Sequence, residues 1–178
     1  MFQEILQGQN CMELDSIRVV PYMTSNTAPY GKVSANSFFN QSPYYYPYMA
    51  IDGNTNTWYT PAQNETYQNY YWQYDFENEA KVVITEFTPT AISYNQYAPD
   101  VYYDMQLLGY DGTSWQTLSD VSRIVGISLS NWSTMQFNII NKLPCSKIKL
   151  VCVGTNGGSM HVSGKEVFAM KDILIKGY

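Results

Sequence analysis

The stretch AIDGNTNTWYT at residues 50–60 places one carboxylate beside a run of small side chains that carry oxygen atoms. Two structures explain such a pattern. An Asp-Gly pair followed by Asn and Thr forms a tight turn in which the carboxylate accepts backbone hydrogen bonds. The same groups could instead line a cage for a hard cation, because calcium takes six to eight oxygen ligands at ~2.3–2.6 Å. The stretch alone leaves both possibilities open.

Residues that could carry out catalysis are few. His161 is the single histidine, so a triad of the Cys-His or Ser-His-Asp type would have to use it. No nucleophile signature such as G-x-S-x-G lies near this histidine. Asp100 and Asp104 are close in sequence but show no specific acid/base pattern. We therefore predict that the protein is not an enzyme.

The three cysteines, Cys11, Cys145 and Cys152, are an odd number and a poor disulfide framework. Cys145 and Cys152 flank the segment SKIKLV. If that segment is extended, it holds the two residues roughly 20 Å apart or more, too far for a bridge. Their spacing does not match a zinc site either. We expect small buried thiols.

The composition indicates one folded domain with few charges. The chain has 178 residues, of which 45% are hydrophobic and 14% charged, with a net charge of -5. Its basic residues are scattered, which predicts no nucleic-acid partner, since phosphate binding needs clustered Lys and Arg. The seventeen tyrosines suit a surface that binds sugars or proteins, although Tyr is also a common strand residue.

The first residues, MFQEILQGQN, lack the basic and apolar regions of a secretory signal, and no apolar run reaches transmembrane length. We expect a protein that is made in a cytoplasm and stays there, or leaves by another route, with no membrane partner.

Strand-like segments recur at short intervals, and several alternate apolar and polar residues, which is typical of half-buried strands. Clusters of Gly, Asn, Asp, Ser and Pro separate them, and only FQEILQ and YPYMAI could form a turn or two of helix. The pattern predicts an all-β fold, an antiparallel sandwich or jelly roll over residues 21–178, after an N-terminal arm at 1–20. The predicted strands are 17–22, 71–77, 81–87, 101–110, 114–118, 133–140, 146–153 and 171–178.

Several motifs occur in a characteristic order. MTSNTAPYGKVSANS and YMAIDGNTNTWYT are followed by YYWQYDFENEAKVVITEF, LLGYDGTSWQTL and the closing KDILIKGY. This order resembles the discoidin family, also called coagulation-factor type C domains, with a galactose-binding-like jelly roll. Trp58, Trp72 and Trp115 stand at the matching places. The sequence departs from the family at residues 75–78, where DFEN replaces Asp-Leu-Gly, and at Asp172, where the family usually has Glu.

The resemblance implies a structural calcium beside the Asp-Gly turn. Asp172 would complete the site from the far end of the chain, and backbone carbonyls near Tyr48 and Met170 would add to it. The cation would then join the first third of the chain to the last strand. Trp58 and Trp72 are expected in the core. The implied calcium ligands are Asp52, Asn54, Thr57 and Asp172.

The resemblance also implies a ligand site in loops at one end of the sandwich, where aromatic faces stack on sugars and polar groups bind hydroxyls. Phe38 and Phe39 resemble the apolar spikes of lipid-binding members, but no basic cluster accompanies them, so anionic lipid is not expected. The candidate ligand-binding residues are Tyr44, Tyr45, Tyr67, Tyr97, Arg123 and His161.

The phrase TSNTAP at 24–29 resembles discoidin-type modules of bacteriophage tail and appendage proteins. We therefore expect a non-enzymatic virion protein that binds cell-surface carbohydrate, attaches to other virion proteins through its N-terminal arm, and is oligomeric in the particle. The alternative is a purely structural assembly protein whose aromatic loops form subunit contacts. A third possibility is a lectin released without a signal peptide.

Overall fold

The computed structural model of the chain describes residues 16–95, 101–125, 132–157, 160–162 and 166–178. Within these ranges only the backbone is described at 92–95, 161–162 and 166–167. The prediction of an all-β fold is confirmed: antiparallel strands make up two sheets, and the helices are short 3-10 turns.

The first sheet has the strand order β1-β12-β4-β8, with β11 paired to β12 and β9 paired to β4. Its long central pair, β4 and β12, runs antiparallel over most of the length of the sandwich. The strands of this sheet are β1 (Ile17–Arg18), β4 (Val82–Asn95), β8 (Ser133–Thr134), β9 (Pro144–Cys145), β11 (His161–Val162) and β12 (Glu166–Gly177).

The second sheet has the order β2-β3-β10-β5-β6, with β7 paired to β5. Strands β5 and β10 alternate buried and half-exposed residues along most of their length, because successive side chains of a strand point to opposite faces. The strands of this sheet are β2 (Lys32–Ala35), β3 (Tyr71–Asp75), β5 (Tyr102–Tyr110), β6 (Trp115–Thr117), β7 (Ser122–Val125) and β10 (Lys147–Thr155).

The short 3-10 turns lie in the connections. Four of them interrupt the long connection from β2 to β3, and one of these, Pro47–Ala50, confirms the predicted helical turn at YPYMAI. The other predicted helical segment, FQEILQ, lies outside the described residues. The five turns are Phe39–Gln41, Pro43–Tyr45, Pro47–Ala50, Tyr67–Asn69 and Glu77–Glu79. No helix in the described ranges is long and apolar enough to cross a bilayer.

The core lies between the two sheets and is rich in aromatic side chains. Trp72 is fully buried, and its indole Nε1 donates to the Pro47 carbonyl at 3.0 Å. Tyr70 packs edge-on against Phe168, with ring centroids 5.3 Å apart. A buried indole or phenol keeps its polar atom satisfied in this way while its ring fills the core. Trp72 confirms the expectation that this residue is core.

Two boundaries differ from the predictions. Residues 17–20 were expected both at the end of the arm and in a strand at 17–22; β1 lies within that strand and pairs with the end of β12, and Val20 is buried, so these residues belong to the sandwich. Residues 1–15 of the predicted arm lie outside the described residues. The predicted strand 133–140 is paired as a strand only at Ser133–Thr134. The edge strands β2 and β7 were not predicted, since a strand of four residues carries little periodicity and is defined by its partner.

Cys145 and Cys152 are buried free thiols, as expected. Burial raises the pKa of Cys145 to about 11 and that of Cys152 to about 12. Both therefore stay protonated at neutral pH, where a thiol is a weak nucleophile. Cys11 lies outside the described residues.

Candidate functional site

The loop at residues 52–57 folds around the carboxylate of Asp52. One carboxylate oxygen accepts the backbone N–H of Asn54 at 2.9 Å. The other lies 2.6 Å from the hydroxyl of Thr57, and this hydroxyl is also 2.9 Å from the Asn54 carbonyl. Gly53 has a φ of 74°, in the left-handed region that favours glycine. This geometry is an Asx-type turn, the first of the two structures expected from the sequence.

The last strand passes directly beside this loop. Tyr59 and Met170 exchange two backbone hydrogen bonds, each 2.9 Å long. The ammonium of Lys171 donates to the Thr55 carbonyl at 2.8 Å. Asp172 follows at an irregularity of β12, with a φ of 50°. Distant parts of the chain therefore meet at one corner, and hydrogen bonds already join them.

The oxygen atoms at this corner fit a calcium ion in part. A carboxylate, a hydroxyl and a carbonyl converge within hydrogen-bonding distance, which is about half of the six to eight ligands that calcium takes. The described residues contain no cluster of three or more His, Cys, Asp or Glu side chains. Lys171 also brings a positive charge to the same loop. Calcium binding through Asp52, Asn54, Thr57 and Asp172 stays a prediction.

A pocket of about 240 Å³ opens beside this loop. Its aromatic part comes from the 3-10 turn at Pro43–Tyr45, which is capped by the hydroxyl of Ser42, and from Trp58. Its polar part comes from Asn56 and Thr57 of the 52–57 loop. We call it the aromatic pocket; it is lined by Tyr44, Tyr45, Met49, Asn56, Thr57 and Trp58.

The rings of the aromatic pocket continue into a row on the surface. Tyr45 lies between Phe39, with a centroid distance of 5.4 Å, and Trp58, at 6.0 Å. Trp58 in turn lies 6.0 Å from Trp132, and the Lys171 ammonium is 4.5 Å from the Trp132 ring centre. The row therefore runs from the pocket to the outward side of the first sheet and ends beside a cation.

The expectation that Trp58 lies in the core is wrong. Trp58 is half-exposed, whereas its neighbour Tyr59 is fully buried and bridges Met170. Adjacent side chains of an extended segment point to opposite sides, so a buried Tyr59 turns Trp58 outward. Trp132 was missed altogether. The signal for it is weak: a lone Trp two residues before the outward Thr134 of β8.

The structure brings two of the six predicted ligand-binding residues together. Tyr44, with 76% of its surface exposed, and Tyr45 both line the aromatic pocket. Tyr67 is instead partly buried against the core. Tyr97 lies outside the described residues. His161 is described only as backbone, paired with Val167 in β11 and β12.

Arg123, another predicted ligand-binding residue, is occupied within the chain. Its guanidinium makes two hydrogen bonds to the carboxylate of Asp104, at 2.8 and 2.9 Å, and stacks 3.7 Å from the ring centre of Tyr102. These bonds raise the pKa of Arg123. Its charge is therefore paired on the second sheet, and no described contact joins it to the aromatic pocket.

Comparisons with known proteins agree on the fold. No protein-family model and no curated protein matches the sequence. Among solved structures, the family 32 carbohydrate-binding module of Clostridium perfringens NanJ, solved with galactose, has 13% identity and a TM-score of 0.57 over 82% of this chain and 93% of that chain. The F5/8 type C domain of a Bacteroides fragilis protein has 16% identity and a TM-score of 0.53, covering 82% and 90%.

A third similar structure is a GH29 fucosidase of Ruminococcus gnavus in complex with fucose, with 13% identity and a TM-score of 0.56 over 82% of this chain but 25% of the fucosidase. The match therefore concerns one part of a larger protein. The resemblance found in the sequence is confirmed at the level of the fold: this chain has the β-sandwich fold of the discoidin, or F5/8 type C, domains.

Proposed function

We propose that this protein is a non-enzymatic carbohydrate-binding domain and that the aromatic pocket is its sugar site. The observation that carries the proposal is the pocket itself, in which exposed and half-exposed rings stand beside the exposed amide of Asn56. Rings of this kind cover the C–H faces of a sugar, and neighbouring polar groups bind its hydroxyls. Several proteins of the same fold are named as carbohydrate-binding modules.

The ring geometry supports a small ligand. The planes of Tyr45 and Trp58 are inclined by 51°, so the two rings form a wedge rather than a stack. Asn56, which lines the same pocket, is exposed. The two inclined rings can cover adjoining parts of one sugar, and the pocket, at about 240 Å³, is small. We therefore assign binding of a terminal or single sugar unit to the aromatic pocket.

The chemistry of the described side chains supports a function without catalysis. The two described thiols are buried with raised pKa values. Asp104 is paired with Arg123, so its carboxylate is committed to an ion pair. Neither arrangement supplies an activated nucleophile or a free acid/base pair.

The test is a glycan array with the purified protein, followed by calorimetric titration of each sugar that binds. We expect Trp58→Ala to weaken binding at least about tenfold, the cost of losing one anchoring aromatic contact. Tyr30→Ala is the matched control, because Tyr30 is 60% exposed and lies outside the pocket. An array with no hit, or equal losses in both variants, would refute the proposed sugar site.

We place the domain on a bacteriophage particle, as a tail, fibre or capsid appendage that adheres to host glycans. This placement is supported by the TSNTAP phrase near the N-terminus. Particles would carry the protein in more than one copy, attached to other virion proteins through residues that precede β1. Detecting the chain by mass spectrometry in purified particles tests this placement, and its absence from particles refutes it.

The competing function is assembly without sugar binding, and the exposure of Tyr44 favours it as well. A ring with 76% of its surface exposed suits a subunit contact as much as a sugar. Light scattering of the purified protein separates the two. Assembly predicts that Tyr44→Ala converts an oligomer to a monomer, while sugar binding predicts an unchanged mass and a lost array signal.

A structural calcium at the 52–57 loop is also part of the proposal, supported by the three converging oxygens around Asp52. Calcium at ten times its dissociation constant should stabilise the fold by about 1.4 kcal/mol. We expect the melting temperature to fall on chelation, and Asp52→Asn to remove this response. A wild-type melting temperature that changes with neither calcium nor chelator would exclude the ion.

A further inference from the structure

The second sheet carries a set of outward side chains that the aromatic pocket does not use. Because β3, β10, β5 and β6 pair in register, alternate residues of these strands form rows across the sheet. One row runs Lys32, Asp75, Lys147, Tyr110 and Trp115, and it spans roughly 19 Å across five strands. We call this surface the outer face of the second sheet.

Lys149 lies at the centre of this face between two aromatic rings. Its ammonium is 4.1 Å from the ring centre of Trp115 and 5.1 Å from that of Tyr71. Both rings are half-exposed, so the ammonium and the rings are open to the same solvent-facing surface. Partial burial lowers the pKa of Lys149.

The charge of this face is opposite to that of the whole chain. The basic residues of this face, Lys32, Lys147, Lys149 and Arg123, outnumber its two carboxylates, Asp75 and Asp104, while the chain as a whole has a net charge of -5. Asp75 forms an ion pair with Lys147 at 3.1 Å. In the described part of the chain, Lys149 forms no ion pair with a carboxylate. The outer face therefore offers a positive charge that an external anion can neutralise.

We propose that the outer face of the second sheet binds a chain of acidic sugars, with Trp115 and Tyr71 covering sugar rings and Lys149 binding a carboxylate or sulfate. The face extends across five strands, which fits the side of an extended polysaccharide rather than its end. Its charge complements an anion, and its rings complement the apolar faces of sugars. This site is separate from the aromatic pocket and does not depend on it.

A nucleic acid would meet the same rings and lysines, but the observations favour a sugar chain. Nucleic acids carry one phosphate per nucleotide, and their binding surfaces need clustered basic residues. Here one of three lysines is already paired and the rest of the chain is acidic. A polysaccharide that carries acidic groups on only some of its sugars fits this modest excess.

The experiment is affinity electrophoresis of the full chain in gels that contain pectate, heparin or neutral dextran. We expect retardation in at least one acidic gel and none in dextran; the pectate and heparin lanes distinguish carboxylate from sulfate. Lys149→Gln should weaken this binding about tenfold, as expected for a lost hydrogen bond to a charged group. Lys149→Arg should retain it, and added salt should weaken the wild type more than the Gln variant.

Lys142→Gln is the matched control, since it removes the same charge from an exposed lysine outside this face. Circular dichroism melts verify that each variant is folded. Retardation in no acidic gel, or equal losses for the Lys142 and Lys149 variants, overturns the proposal. Binding of a single-stranded oligonucleotide in preference to every polysaccharide also overturns it. A Trp58→Ala control separates this site from the aromatic pocket, since it should lose array binding and keep retardation.

Discussion

The aromatic pocket and the outer face of the second sheet both present half-exposed rings beside polar groups, but different parts of the chain hold them. Tyr45, Trp58 and Trp132 come from connections between strands, and residues distant in sequence meet there. Tyr71, Lys149 and Trp115 stand on paired strands, where the register sets their spacing. The connections bring rings from distant segments into one pocket, whereas the paired strands hold their outward side chains in regular rows.

The difference has a consequence for stability. The strands that carry the outer face are joined to their neighbours by backbone hydrogen bonds. The outer face should therefore persist until the sandwich unfolds. The pocket depends on a few specific contacts of the 52–60 segment, including those of Lys171 with Thr55 and of Tyr59 with Met170. Changes in these contacts should alter the pocket first.

The largest expected effect comes from Trp72, whose fully buried ring belongs to the core between the two sheets. Trp72→Ala should lower the free energy of unfolding by about 3–5 kcal/mol, because it opens a cavity and leaves the Pro47 carbonyl without its donor. Trp58→Ala is the matched comparison, since this half-exposed Trp should cost less than about 1.5 kcal/mol. Urea denaturation measures both, and equal losses would contradict the assignment of Trp58 to the surface.

A smaller effect is expected at Gly53, which is specific to the loop. Its φ is 74°, and an added Cβ would lie 2.4 Å from the ring of Tyr22. Gly53→Ala should therefore cost about 1–3 kcal/mol and disturb the 52–57 turn. We expect weaker sugar binding in the pocket but unchanged retardation by acidic polysaccharide. If both kinds of binding fall together, the two regions are not independent.

Alkaline pH should lower the stability of the fold through Tyr74, which lies on the buried side of the second sheet. Burial raises the pKa of Tyr74 to about 12 from its ordinary value of 10, and its hydroxyl donates to the Tyr30 carbonyl at 2.8 Å. The unfolded state loses this proton first, so the stabilising contribution is complete below pH 10 and disappears as the pH rises to 12. The urea midpoint of unfolding should fall from pH 8 through pH 10 to pH 11, and it should fall less in Tyr74→Phe. An identical decline in that variant would assign the effect to other groups.

The smallest effect is expected at Arg123, which was a candidate ligand residue. Its guanidinium is paired with Asp104 and stacked on Tyr102, outside the pocket. Arg123→Ala should leave sugar affinity within about twofold of wild type, as for surface changes away from a site. A loss as large as that of Trp58→Ala would move the sugar site to the second sheet.

Much of the fold was predictable because its signals are local. Alternation along β5 and β10 identified both strands within one or two residues, and the Asp-Gly pair with its following Asn and Thr identified the turn at 52–57. The buried state of Trp72 followed from its strand context. The edge strands β2 and β7 were missed, since they are defined by hydrogen bonds to partners and have little pattern of their own.

The sequence by itself determined the class of fold, the positions of its main strands along the chain and the chemistry available at the Asp52 turn, because propensity and alternation act over a few neighbouring residues. Only the tertiary structure decided that Trp58 faces outward, that Trp132 lies beside it and that Lys171 binds the carbonyl of Thr55. These contacts join residues that are more than seventy positions apart. Such pairs come into contact only when loops pack against the folded sheets, and no local sequence pattern encodes that packing.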